Sequence, residues 1–178
     1  WDKVDAWLSD ERWVPHDHPD SNGHMAATLL LDQVDARFHR PRWAPWLTAA
    51  DSAAHYEATL RSFHPDGRSD LILLGMGDDG HTASLFPTDP HLAPAMDPAS
   101  LVDAVVGRPQ PLPPEAPHPR ISLTLARLLR SHHRLLLATG ERKRALLETL
   151  MQSPDPLRWP ISALLHAPGP PLEIHWSP

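Results

Sequence analysis

The 178-residue chain contains no cysteine. Disulfides and thiolate metal ligands are therefore excluded, and a reducing compartment fits this usage. Long apolar runs are missing too. No stretch approaches the roughly 18 uninterrupted apolar residues of a membrane helix, and no basic-then-apolar leader opens the chain, so the expectation is a soluble, cytoplasmic protein without membrane attachment. Positive charge is in deficit. With 16 Lys and Arg against 22 Asp and Glu, a net charge of −6 and a pI near 6.1, the chain lacks the basic balance of a nucleic-acid binder. A GxSxG elbow is also absent, so acyl transfer has no evident nucleophile.

Proline and histidine are abundant instead. The 22 prolines amount to about twice average usage. They cluster at 109–119 (PQPLPPEAPHP) and 168–171 (PGPP), which read as stiff extended connections. The 13 histidines are scattered, and no HxxxH or HExxH pair falls on an expected helix. The pattern therefore predicts no metal site and no cofactor.

The segment Asp70–Pro87, DLILLGMGDDGHTASLFP, carries the strongest signal. A continuous apolar run, Leu71–Leu74, reads as a buried parallel strand, and ligands of α/β sheets bind past the carboxyl ends of such strands. Gly75 and Gly77 allow a sharp turn and a close approach to ligand. Thr82–Phe86 is expected to form a helical turn whose free amides would favour an anion. A nicotinamide site is not expected, because no long helix completes the GxGxxG context. His81 is the candidate general base, since imidazole alone titrates near neutrality without perturbation, and Asp79 is placed to hold its tautomer. Arg12, Arg120 and Lys143 are candidate anion ligands, but only if the fold brings them together.

Along the chain, strands are expected at 4–8, 70–75, 101–106, 120–125, 133–139 and 172–176. Helices are expected at 22–35, 51–63, 126–131, 141–151 and 159–165. Met25, Leu29, Leu30 and Val34 are expected to form a buried stripe; Ala54, Ala58 and Phe63 are among the apolar positions of the next helix, capped by Asp51. Residues 37–50 read as an irregular connection and 64–67 as a turn. The alternation predicts one α/β domain over 1–178, a mostly parallel, Rossmann-like sheet flanked by helices.

DERWVP at 10–15, SN at 21–22, LGMGDDGHTASLFP at 74–87, RISLTL at 120–125 and TGERK at 139–143 together resemble the 6-phosphogluconolactonase family over nearly the whole chain. The resemblance implies the sugar-phosphate isomerase/deaminase-like fold and metal-independent hydrolysis of 6-phosphoglucono-δ-lactone in the pentose phosphate pathway. It implies His81 and Asp79 as catalytic residues, and Asp10, Arg12, Gly75, Gly77, Arg120 and Lys143 as the substrate-binding set. The implied partner is a small sugar phosphate bound by a monomer or homodimer. Glucosamine-6-phosphate deaminases are similar around the DGH triplet but carry a carboxylate five residues after the histidine; here position 86 is Phe. A sugar-phosphate binder without catalysis and a non-catalytic subunit are the other readings. Family members begin with a strand and an SGGxTP loop, and nothing similar precedes Trp1. The expectation is therefore a chain lacking its first strand, incomplete at the N-terminus and slightly at the C-terminus, or completed by another chain.

Overall fold

The structure, a computed structural model, describes residues 1–63, 66–114 and 116–178. His64 and Pro65 of the expected turn lie outside the described residues.

A parallel sheet is built from β4 (Ser69–Gly75), β7 (Ser131–Thr139) and β8 (Leu172–Ser177), with β7 central. Both β4 and β7 contain the apolar runs expected of parallel strands, and they pair in register from Ser69↔Ser131 to Gly75↔Leu137. Only one face of β4 is buried, however. The pleat sends Ile72 and Leu74 inward while Leu71 and Leu73 remain 53% and 55% exposed, so the continuous run overstated burial. A second parallel pair joins β1 (Asp5–Trp7) to β3 (Arg37–His39), within the interval expected to be irregular. The third sheet is antiparallel. In it β6 (Arg120–Leu123) lies between β2 (Asp10–Arg12) and β5 (Ala104–Gly107). Two of the three sheets among the described residues are therefore parallel, and the antiparallel one carries half of the site.

Helices cover the sheets. In α1 (Asn22–Leu29), the N-cap Ser21 accepts a hydrogen bond from the His24 amide, as the Asp-Ser-Asn sequence leads one to expect. The expected buried stripe is not buried: Met25, Leu29 and Leu30 are 54%, 70% and 46% exposed. This short helix is held by its N-terminus, where the small Gly23 packs, rather than by an apolar face. For α2 (Ala49–Phe63), Thr48 is the cap and Asp51 its reciprocal partner: Asp51 N donates to Thr48 Oγ1 and Thr48 N to Asp51 Oδ2. Its buried residues include Ala53, Tyr56 and Leu60, whereas Ala54, Ala58 and Phe63 face outward. The short helices α3 (Leu92–Ala95), α4 (Leu125–Leu129) and α6 (Ile161–Leu165), with α5 (Glu141–Leu150), complete the order. One core joins Leu74, Leu136, Leu128, Leu150, Ile161 and Leu164; full burial of each stabilises the fold by about 2 kcal/mol. No helix among the described residues is long and apolar enough to cross a membrane.

Candidate active site

The chain leaves β4 at Gly75 and turns through Gly77–His81 before an isolated bridge, Thr82↔Leu85. No helical turn forms at 82–86. Most of the loop's amides are already engaged: Gly77 N donates to His81 O, Gly80 N to Gly77 O, His81 N to Asp79 Oδ1 and Leu85 N to Thr82 O, while Ser84 N reaches Ser122 Oγ. The expected helix-start anion site is therefore not built here.

Two glycines have steric reasons. A Cβ on Gly77 would lie 2.3 Å from the His81 ring and 2.6 Å from Asp79 Oδ1. Gly80 has φ +73° and packs so closely on Trp159 that a Cβ would stand 3.0 Å from its ring. Gly75 has no such need, since nothing lies within 4 Å of where its Cβ would stand.

This tight turn sets the pair that the sequence predicts. Asp79 Oδ1 lies 2.6 Å from His81 Nδ1. Burial pushes the Asp79 carboxyl up, but the hydrogen bond and charge of His81, with backbone amides, outweigh it and hold the group below its usual value. A carboxylate at that distance keeps the proton on Nδ1 and leaves the Nε2 lone pair free. The Phe86 ring lies 4.3 Å from the imidazole, centroid to centroid, and restricts its tilt.

The second half of the site comes from the antiparallel sheet. Alternation along β2 puts Asp10 and Arg12 on one face and sends Glu11 to the other. Glu11 is buried and accepts hydrogen bonds from Arg12 N, Ser21 Oγ, Asn22 N and Gly23 N, fixing β2 to the start of α1. Register then places Arg12 directly opposite Arg120 and Asp10 opposite Ser122. Asp10 Oδ2 accepts a 2.6 Å hydrogen bond from Ser84 Oγ, which ties β2 to the glycine loop.

Like charges directly across a ladder repel, and here one of them is buried. Arg120 is 3% exposed; Nη2 donates to Ala116 O, and Nη1 has no partner. Burial first, then the neighbouring Arg12, depresses its pKa. Leaving a buried donor unpaired costs about 1–3 kcal/mol. Two facing guanidiniums with a free donor form a seat for an anion.

Asp10, Arg12, His81 and Arg120 line one cavity of about 170 Å³, with Ala83 and Phe86 among its walls. Asp79 stands behind His81. Neither Gly75 nor Lys143 is among the cavity's lining residues; Lys143 sits in the first turn of α5, beyond β7. Ser84, Phe86 and Ser122 join the site only in the folded chain. The two serines are ordinary strand and loop residues, and only the fold gives them partners. A larger groove, about 470 Å³, runs between β1 and β4 along Lys3–Trp7 and Ser69–Leu73. It contains none of the candidate residues.

A model of the family described as glucosamine-6-phosphate isomerases/6-phosphogluconolactonase matches residues 1–176. The chain is 41% identical over 182 residues to a 6-phosphogluconolactonase of Mesorhizobium japonicum, covering all of this chain and 72% of that protein. It is 39% identical over 186 residues to one of Pseudomonas aeruginosa, again covering all of this chain and 71% of the relative. A solved 6-phosphogluconolactonase structure from Shewanella baltica superposes with a TM-score of 0.88 at 32% identity, over 100% of this chain and 73% of that one.

Proposed function

The chain belongs to the glucosamine-6-phosphate isomerase/6-phosphogluconolactonase family, and on that premise we propose that it hydrolyses 6-phosphoglucono-δ-lactone to 6-phosphogluconate in the pentose phosphate pathway. The observation that carries the reading is the two-ended cavity. A carboxylate-held imidazole stands at one end, and the facing Arg12 and Arg120, with their free donor, stand at the other. A phosphorylated lactone has a matching polarity, with an electrophilic carbonyl at one end and a dianion at the other. The Phe86 ring, beside His81 and 6.0 Å from the Arg120 guanidinium carbon, is the apolar surface between them.

In the forward reaction His81 Nε2 takes a proton from water as the water oxygen adds to the lactone carbonyl carbon. The Asp79 carboxylate stabilises the imidazolium that forms. The carbonyl oxygen becomes an oxyanion. Its donor in this reading is the amide of Ala83, a residue of the cavity wall whose N–H takes no part in the loop's own hydrogen bonds. Ala83 adopts φ +48°, a conformation that is costly for a residue with a Cβ. Collapse of the intermediate breaks the bond from the carbonyl carbon to the ring oxygen. The imidazolium returns its proton to that oxygen, giving the free hydroxyl and the carboxylic acid, which ionises. Asp10, oriented by Ser84, is placed to accept from a substrate hydroxyl. The reading includes a cytoplasmic, single-domain enzyme, monomeric or homodimeric, with a small sugar phosphate as its partner and no nucleic acid.

The test is turnover of 6-phosphoglucono-δ-lactone by this chain and by His81→Ala. A loss of about 10²- to 10⁴-fold is expected in the variant. Turnover equal to the parent would remove His81 as the base, and 6-phosphogluconate binding by the parent without any turnover would leave a sugar-phosphate binder in place of an enzyme.

A further inference from the structure

Beside the arginine end lies a constellation that the proposed hydrolysis does not use. His18, Asp20 and His118 each bring one ligating nitrogen or oxygen within 4.8 Å of the others', all three residues half-buried. Asp20 Oδ2 is 2.8 Å from His118 Nε2 and 3.8 Å from His18 Nδ1. The two imidazoles meet edge to face with centroids 5.2 Å apart. Spacing along the sequence does not reveal this group, because its histidines come from segments 100 positions apart.

Two nitrogens and a carboxylate oxygen are the donor set of a borderline cation of the zinc class. The Asp20 amide donates to His18 Nδ1 at 3.1 Å, so that nitrogen is unprotonated, and a metal would take over the lone pair that the amide now holds. The backbone is stiff around both rings: Pro19 follows His18, and Pro117 and Pro119 flank His118. Proline fixes φ, so little further ordering is needed on ligation.

We propose that His18, Asp20 and His118 form a zinc-class metal site, with water completing the coordination. The metal takes the place of the hydrogen bond between His118 Nε2 and Asp20, and the neutral imidazole bound through Nε2 carries its proton on Nδ1 instead. Arg12 opposes the metal, since its guanidinium is nearby and Nη1 donates to Asp20 O at 2.9 Å. The affinity is therefore that of an accessory site. Its structural effect is to staple the loop after Arg12 to the segment leading into Arg120.

The experiment titrates the full chain with zinc chloride alone, by calorimetry. The expected result is one saturable site, weakened more than about tenfold in His18→Gln and in His118→Gln, and retained in His24→Gln at an exposed position of α1. Should either ligand variant lose its fold, diethyl pyrocarbonate footprinting of the parent decides. Protection of His18 and His118 by zinc supports the site. Absence of saturable binding, binding that survives both ligand substitutions, or protection confined to other histidines overturns it.

Discussion

The two ends of the candidate site are built in opposite ways. The imidazole end is local: Asp79 and His81 are two residues apart, and their 2.6 Å contact is forced by a turn so tight that Gly77 admits no Cβ. The arginine end is assembled across the chain, from Arg12 on β2 and Arg120 on β6, brought face to face by antiparallel register. One end is a satisfied pair and the other is a repelling pair with an empty donor. A group that already has its partner is prepared for chemistry, whereas groups left unpartnered are prepared for a ligand. Substitutions at the first end should therefore act on kcat, and those at the second on KM.

Asp79→Asn should produce the largest change after loss of His81 itself. An amide can donate to Nδ1 and shift the proton to Nε2, so kcat should fall about 10²-fold or more with KM nearly unchanged, as steady-state kinetics would show. Equal changes in both constants would erase the contrast between the ends. Arg120→Met should raise KM by about 10- to 100-fold, the range of a charge-assisted hydrogen bond, while kcat changes less. Because it relieves the repulsion with Arg12, thermal stability without ligand should not fall. A marked loss of stability would recast Arg120 as a structural residue.

Ala83→Gly should be smaller still. Relief of positive φ outweighs the added freedom of the unfolded chain, giving roughly 0.5 kcal/mol of stabilisation in denaturant titrations, with the amide donor and hence kcat retained. The smallest effect is on the pH profile of stability. The Asp79 carboxyl is depressed in the folded state, so between its folded and unfolded values the unfolded chain binds more protons. Its contribution is complete above the unfolded value of about 4 and is lost as pH falls through the folded one. Asp79→Asn should flatten the acid limb of a stability curve by that increment, which solvent screening keeps small.

The same contrast governs what was legible in the sequence. The apolar run of β4, the glycine turn and the Asp79–His81 pair are contiguous in sequence, and they were found in the expected place. Residues 82–86, expected to be helical, instead form a bridge, because Ser84 is drawn to Asp10 and Ser122 on another sheet. Arg12 and Arg120 were recognisable as motif residues, but their pairing depends on a register that no local pattern specifies. Lys143 belongs to a matching motif yet is not in the cavity wall. On α1, helical spacing gave a stripe but not what lies against it, and Met25 and Leu29 face solvent.

Calorimetric binding of 6-phosphogluconate to His81→Ala and to Arg120→Met, compared with the parent, tests the division of labour directly. Near-parental affinity is expected in the first variant and a loss of about tenfold or more in the second. Parental affinity in Arg120→Met, or loss confined to His81→Ala, would contradict it.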